Sequence, residues 1–191
     1  MPNMCEYHWR DARSVLDTTM NTNAPSSHST DSSAMHAVDA GELATMDFFA
    51  GFTPHHLAQI ARYSKRIRFA AEDMLFEQGE LANRFYVIKS GRVAIELNAG
   101  GRRVTLQEIG PGEPVGFSWF FNTDTMHFTA RAVEPLEAVF FYGTLLREEC
   151  ELDRDLGYEM LRRTSQTMME RLEAMNKLLA HTLADALKKS A

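Results

Sequence analysis

Apolar and polar positions change rhythm twice along this chain. At first the spacing is helical: Leu43, Met46, Phe48, Phe49 and Phe52 form one cluster. Thr53-Pro54 then reads as a helix opening, with Thr as N-cap and Pro at the first helical position. Leu57, Ile60 and Ala61 share one face of the helix that follows to about Tyr63. From Lys65 to Tyr142 the period falls to two. Arg66 to Phe69 alternates, Met74-Leu75-Phe76 is a short strand, and Gln78-Gly79-Glu80 is a turn. The run Phe85-Tyr86-Val87-Ile88 is a strand ending at Ser90-Gly91. Val93, Ile95 and Leu97 alternate with Ala94, Glu96 and Asn98 up to a hairpin turn at Ala99-Gly100-Gly101. Val104, Leu106 and Ile109 make the next strand, closed by Gly110-Pro111-Gly112. Phe128 to Val133 and Leu136 to Tyr142 supply the last two.

After Gly143 the helical period returns. Thr144 is placed to cap a short helix through Cys150. Asp153 is placed to cap a second one, which runs without Pro and with one early Gly157 to about Lys189. That is roughly 50 Å at 1.5 Å per residue. Ser165, Met168, Leu172, Met175, Leu179, Thr182 and Ala186 fall on alternating spacings of three and four, an a/d seam with a Met-rich centre. So narrow a seam on so long a helix predicts a partner helix, and Met168, Leu172, Met175 and Leu179 are the dimerisation residues. The bland alternative packs the seam on its own domain.

These rhythms predict a mainly β fold with flanking helices: an antiparallel, jelly-roll-like β-roll plus a long C-terminal helix. Three segments follow. Residues 1–37 are a polar tail rich in Ser, Thr, Asn and His, with too little apolar surface to offset the entropy of ordering, and are expected to be disordered. Residues 38–150 form the β-roll with its N-terminal helices. Residues 151–191 form the long helix.

Composition narrows the function classes. Hydrophobic residues at 45% and charged residues at 24% of 191 supply an ordinary globular core. A net charge of −6 gives bulk electrostatics no pull toward a phosphate backbone. No stretch approaches the roughly 20 apolar residues of a membrane span, and the N-terminus has no apolar signal region. Cys5 and Cys150 are too few and too far apart for a disulfide framework or a thiolate metal site. A cytoplasmic protein without a membrane partner is expected. His55-His56 point apart on their helix, which is poor geometry for a metal. No nucleophile–base pair or phosphate loop stands out, so an enzyme is not expected.

The stretch Leu75-Phe76-Glu77-Gln78-Gly79-Glu80 through Asn83-Arg84-Phe85-Tyr86-Val87-Ile88 to Gly91 resembles the first signature of the cyclic-nucleotide-binding domain. Gly110 to Gly116 resembles the approach to that family's phosphate-binding cassette, and Ala130-Arg131-Ala132 the strand after it. The resemblance covers about Leu43 to Ala180. It is closest to sensor domains of the catabolite-activator and fumarate–nitrate-regulator group, and implies a β-roll of cyclic-nucleotide-binding type.

In that family a Gly starts a short helix whose N–H groups face the cyclic phosphate. A Glu after the Gly accepts from the ribose hydroxyl, and an Arg later in the cassette pairs with the phosphate. Here Phe117 follows Gly116, and Met126 or His127 stands where the Arg belongs. Each hydrogen bond to a charged group is worth roughly 1.5–3 kcal/mol. Losing both anchors therefore lowers affinity by about 10²–10⁴. Asp124 adds repulsion, and His127 replaces the Arg only in part, below a pKa of about 6.5. Arg131 lies on a strand whose side chains alternate faces, so it points away from the site in one of two registers.

The ligand-binding candidates are Gly116, Phe117, Ser118, Trp119, Met126, His127 and Phe128. Phe117, Trp119, Phe120 and Phe121 read either as an apolar ligand pocket or as a core filled where a nucleotide would sit. Cys150 reads as a packed small residue, Arg102-Arg103 as a solvated turn. The resemblance leads to a non-catalytic small-molecule sensor or regulatory module. Its ligand is a weakly held cyclic nucleotide or another small anionic or apolar molecule, and its output goes through a homodimer or a protein effector. The alternative is a structural or interaction dimer with a filled, ligand-free pocket. A lesser one is a transcriptional regulator of the same family without its own DNA-binding domain. The chain as given stops directly after the long helix, so no direct nucleic-acid contact is expected.

Overall fold

The computed structural model describes residues 38–121 and 124–190. The polar segment 1–37 lies outside them. Helix α1 (Ala40–Ala44) opens on Asp39, whose carboxylate accepts from the Glu42 N–H at 2.8 Å. A single 3₁₀ turn, Asp47–Phe49, follows. Helix α2 (Pro54–Ala61) starts where the Thr-Pro pair predicts, with the Thr53 hydroxyl accepting from the His56 N–H.

Eight strands come next: β1 (Ser64–Phe69), β2 (Met74–Phe76), β3 (Arg84–Ser90), β4 (Val93–Ala99), β5 (Arg102–Ile109), β6 (Pro114–Val115), β7 (Thr129–Ala132) and β8 (Leu136–Tyr142). They pair antiparallel in two four-stranded sheets, ordered β1-β8-β3-β6 and β2-β7-β4-β5. This is the expected β-roll. The two-residue β6 is too short for any periodicity to announce. Arg102 and Arg103 begin β5 rather than sit in the turn.

The continuous apolar run of β3 has a physical reason. The first sheet is covered on both faces, so successive side chains go to two different cores. Phe85 and Val87, with Val139 and Phe141 of β8, face a helix-side core built with Leu43, Phe49, Leu57 and Ile60. Tyr86 and Ile88, with Ala138 and Phe140, face the roll interior shared with Leu75, Val93, Ile109 and Ala130.

Helix α3 (Gly143–Leu152) follows β8 directly, and α4 (Arg154–Ser190) completes the chain. Thr144 does not cap α3; the N-cap is Tyr142, without a side-chain bond. The chain leaves β8 already in place, and the Gly143 N–H is satisfied by the Asn83 carbonyl at 2.9 Å, so no capping hydroxyl is required. Asp153 caps α4 as expected, its Oδ1 accepting from Asp155 and Leu156 N–H. The 37 residues of α4 span about 55 Å.

Leu156, Met160 and Thr164 turn one face of α4 into the body of the domain. The seam lies on another face: Met168, Leu172, Met175 and Leu179 are each 44–57% exposed. Ser165 and Thr182 are exposed too, while the Ala186 side chain lies outside the described atoms. The seam does not pack on its own β-roll. Among the described residues no helix is long and apolar enough to cross a membrane.

Candidate functional site

Gly116 begins the cassette with φ at +88°, a left-handed conformation open to glycine. A Cβ there would also come within 2.6 Å of the Arg84 carbonyl oxygen and 3.3 Å of the Phe76 ring. The glycine elbow is therefore required by the close approach of the cassette to β3. A 3₁₀ turn, Ser118–Phe121, follows in the place of a full helix. With four residues it offers little more than one turn of aligned N–H groups, a short platform for an anion.

The far end of the cassette is pinned by the signature turn. Gly79 N–H donates to the Met126 carbonyl at 2.8 Å, Met126 N–H to the Glu80 carbonyl at 2.7 Å, and Ala82 N–H to the Asp124 carbonyl at 3.0 Å. A Leu81–Thr125 bridge continues the pairing. The signature Gln78-Gly79-Glu80 is thus the frame on which Met126 is hung.

The sequence candidates do not converge on one pocket. Trp119 is 1% exposed and belongs to the helix-side core, its ring 5.9 Å from Phe85 and 5.1 Å from Phe120. Phe117 packs against the same core, 6.1 Å from Phe85. Met126 is 2% exposed and belongs to the other core, inside the roll. Ser118 is half-buried, His127 is exposed, and Phe128 is 41% exposed. Phe121 is exposed to the same degree. Neither residue that stands for the family's Arg presents a cation to the roll interior: Met126 is apolar and packed, His127 is at the surface.

Several polar groups near this frame are engaged with one another. Arg84 donates to the Leu75 carbonyl at 3.3 Å and pairs with Glu80 at 3.1 Å. The Tyr86 hydroxyl donates to the same carbonyl at 3.1 Å, and burial pushes its phenol well above the usual range. Arg131 lies on the outer side of its sheet, bonded to Glu96 at 2.5 Å and Glu72 at 2.7 Å, since Ala130 and Ala132 take the inward positions. Cys150 is buried at the α3–α4 junction, and burial with the nearby Glu149 pushes its thiol up to about 12, far from a reactive thiolate at neutral pH. His55 and His56 split as expected, one exposed and one buried. Among the described residues no group of three His, Cys, Asp or Glu is placed to hold a metal ion.

One cationic side chain at the cassette escapes a reading of the cassette alone. Arg171 of α4 lays its guanidinium over the Phe117 ring, 5.2 Å from the centroid, and donates to the Pro114 carbonyl at 2.5 Å. Glu113 is 3.9 Å away. Burial, only partly offset by Glu113, pulls the guanidinium down to about 10, so it is still charged at neutral pH. Its signal in the sequence is the line Leu156, Met160, Thr164, Thr167 and Arg171, a second helical stripe beside the seam. Gly143, pressed against Trp119, has no comparable local signal.

Two open clefts accompany the cassette. One of about 500 Å³ is lined by Phe120, Arg147, Cys150, Tyr158 and Leu161 among others. The other, about 240 Å³, lies among Asp47, Gly112, Glu113, Arg163 and Glu170. Neither is lined by Met126 or by the residues of the roll interior.

Residues 66–153 match the family described as "Cyclic nucleotide-binding domain". The cyclic AMP receptor protein of Thermus thermophilus is 27% identical over 127 residues, 64% of this chain and 59% of its own. The CRP-like cAMP-activated global transcriptional regulator of Mycobacterium tuberculosis is 27% identical over 139 residues, 72% and 60% of the two chains. The chain spans about 60% of the length of these curated relatives. A Geobacter metallireducens structure described as a cyclic nucleotide-binding protein has a TM-score of 0.65 at 24% identity, covering 71% of this chain and 98% of that one. At such identity the likeness concerns the fold; of the two curated relatives, one is named as a receptor protein and the other as a transcriptional regulator. Between Arg66 and Asp153 this chain is therefore similar to the cyclic nucleotide-binding domain family.

Proposed function

We propose that this chain is a non-catalytic regulatory module in which the cyclic nucleotide is held weakly or not at all, and whose output is carried by α4 paired with a second copy. The observation that carries this reading is the fate of the two anchor positions. Phe117, after Gly116, is packed beneath Arg171, and Met126 is sealed in the roll interior. A nucleotide entering there would lose the ribose carboxylate and the phosphate guanidinium, and would have to displace packed apolar side chains as well. Of the two readings of the aromatic cassette, burial of Trp119 favours the filled core over an apolar pocket.

Calorimetric titration of the full chain with cyclic AMP and cyclic GMP at pH 5.5 and 7.5 tests this. The expected result is no binding tighter than about 100 μM, which is about −5.5 kcal/mol. Submicromolar binding of either nucleotide would overturn the proposal. Binding that strengthens sharply at pH 5.5 would assign the phosphate to His127.

A further inference from the structure

Helix α4 touches the domain along Leu156, Met160, Thr164, Thr167 and Arg171, and every described side chain from Leu172 onward is exposed. Arg171 is therefore the last attachment of the helix before its free half begins. Its side chain is 16% exposed, buried against Phe117 and Pro114 of the cassette. The 3₁₀ turn further along the same segment is held by a second guanidinium: Arg147 of α3 donates to the Trp119 carbonyl. A third, Arg163 of α4, donates to the Ala50 carbonyl. Helices α3 and α4 thus grip residues 114–119 at both ends through side-chain-to-backbone bonds.

We propose that Arg171 is an internal clasp that fixes the long helix to the cassette with no ligand between them, so that release of this one side chain frees both segments together. A charge-assisted bond to a carbonyl and a desolvated cation over an aromatic face are both strong for their size. They act on two residues, Pro114 and Phe117, that flank the Gly116 elbow. Any movement of the elbow must break them, and any movement of the helix at Arg171 must pull on the elbow. Lysine is a poor substitute, because its point charge lacks the planar fork that serves ring and carbonyl at once. The clasp does not depend on a second copy, since every contact lies within one chain.

Hydrogen exchange on the full chain, segment by segment, tests the clasp. Arg171→Gln is expected to speed exchange about ten- to a hundredfold in residues 115–121 and 165–172 together, leaving β3 and β8 unchanged. Phe117→Leu, which keeps apolar bulk and removes the ring, is expected to speed the same two segments about tenfold. It carries the test alone if Arg171→Gln does not fold. Arg171→Lys is expected to restore part of the protection. The clasp is refuted if only one of the two segments responds, if neither does, if β3 and β8 open to the same extent, or if Lys protects no better than Gln.

Discussion

At the scale of single residues, two glycines decide where the cassette can lie. Gly116 allows the chain to turn against β3. Gly143 allows Trp119 to lie on the start of α3: a Cβ there would stand 2.8 Å from the indole Cγ and 3.1 Å from the Asn83 backbone. Neither neighbour is the loose end of a flexible side chain, so relief requires a shift of the indole or of the chain. Gly143→Ala is expected to destabilise the domain by about 1–3 kcal/mol, with Trp119 moving out of the helix-side core. Urea denaturation followed by far-UV circular dichroism measures the first effect, and the near-UV spectrum the second. An unchanged urea midpoint would show that the indole has room the structure does not give it. This contact could not be read from the sequence. Trp119 and Gly143 are separated by two strands, and in a 3₁₀ turn neither the period of two nor that of 3.6 says which way an indole points.

At the scale of elements, the two rhythms of the sequence translated directly into structure wherever an element was long enough to show a regular or continuous apolar pattern. The strands from Ser64 to Tyr142 and the caps at Thr53 and Asp153 are examples. They failed where the partner was remote: β6 has two residues, and Thr144 lost its capping role to a carbonyl of β3's approach at Asn83. The candidate site was legible as a segment but not as a pocket. Gly116 to Phe128 was found from the signature and its spacing, while the division of its side chains between two cores depends on the first sheet being covered on both faces. Helix α4 carries two faces for two jobs. Its buried line ends at Arg171, and its Met-rich seam remains in water through Leu179 with Leu183 and Leu187 beside it. In the proposed pairing this stripe is covered by a second helix, and the a/d spacing suits a copy of itself. Leu172→Asp places a charge at the centre of that seam. Sedimentation equilibrium is expected to give a dimer for the unaltered chain and a monomer for the variant, with the β-roll's circular dichroism intact. A variant that still sediments as a dimer would move the interface off this helix.

At the scale of the whole domain, α1 is tied to the first sheet by charge as well as by the buried Leu43. Glu42 of α1 accepts from Arg66 of β1 at 2.5 Å and from Lys89 of β3 at 2.7 Å, and Lys89 in turn reaches Glu137 of β8 at 3.2 Å. One carboxylate thus joins the N-terminal helix to two strands, and a second joins them to a third. The hydrogen bonds from Arg66, together with the one from Lys89, outweigh burial and hold the Glu42 carboxyl down at about 2 against an ordinary 4.5; Glu137 is also lowered, the bonds from Lys89 and Arg68 outweighing its burial. A carboxyl whose folded value lies below its unfolded value stabilises the fold fully above the unfolded value. That contribution is lost as pH falls from about 4.5 through about 2. The urea midpoint is therefore expected to be level between pH 7 and pH 5 as far as Glu42 is concerned, and to drop steeply below pH 4. Glu42→Gln removes the charge at every pH. It is expected to lower the midpoint at pH 7 and to differ less and less from the unaltered chain toward pH 2, as the native carboxyl takes up its proton. Parallel curves for the two proteins down to pH 2 would mean that the Glu42–Arg66–Lys89 network carries no net stability. The acid sensitivity of the fold would then rest on Glu137, Asp153 or other carboxylates.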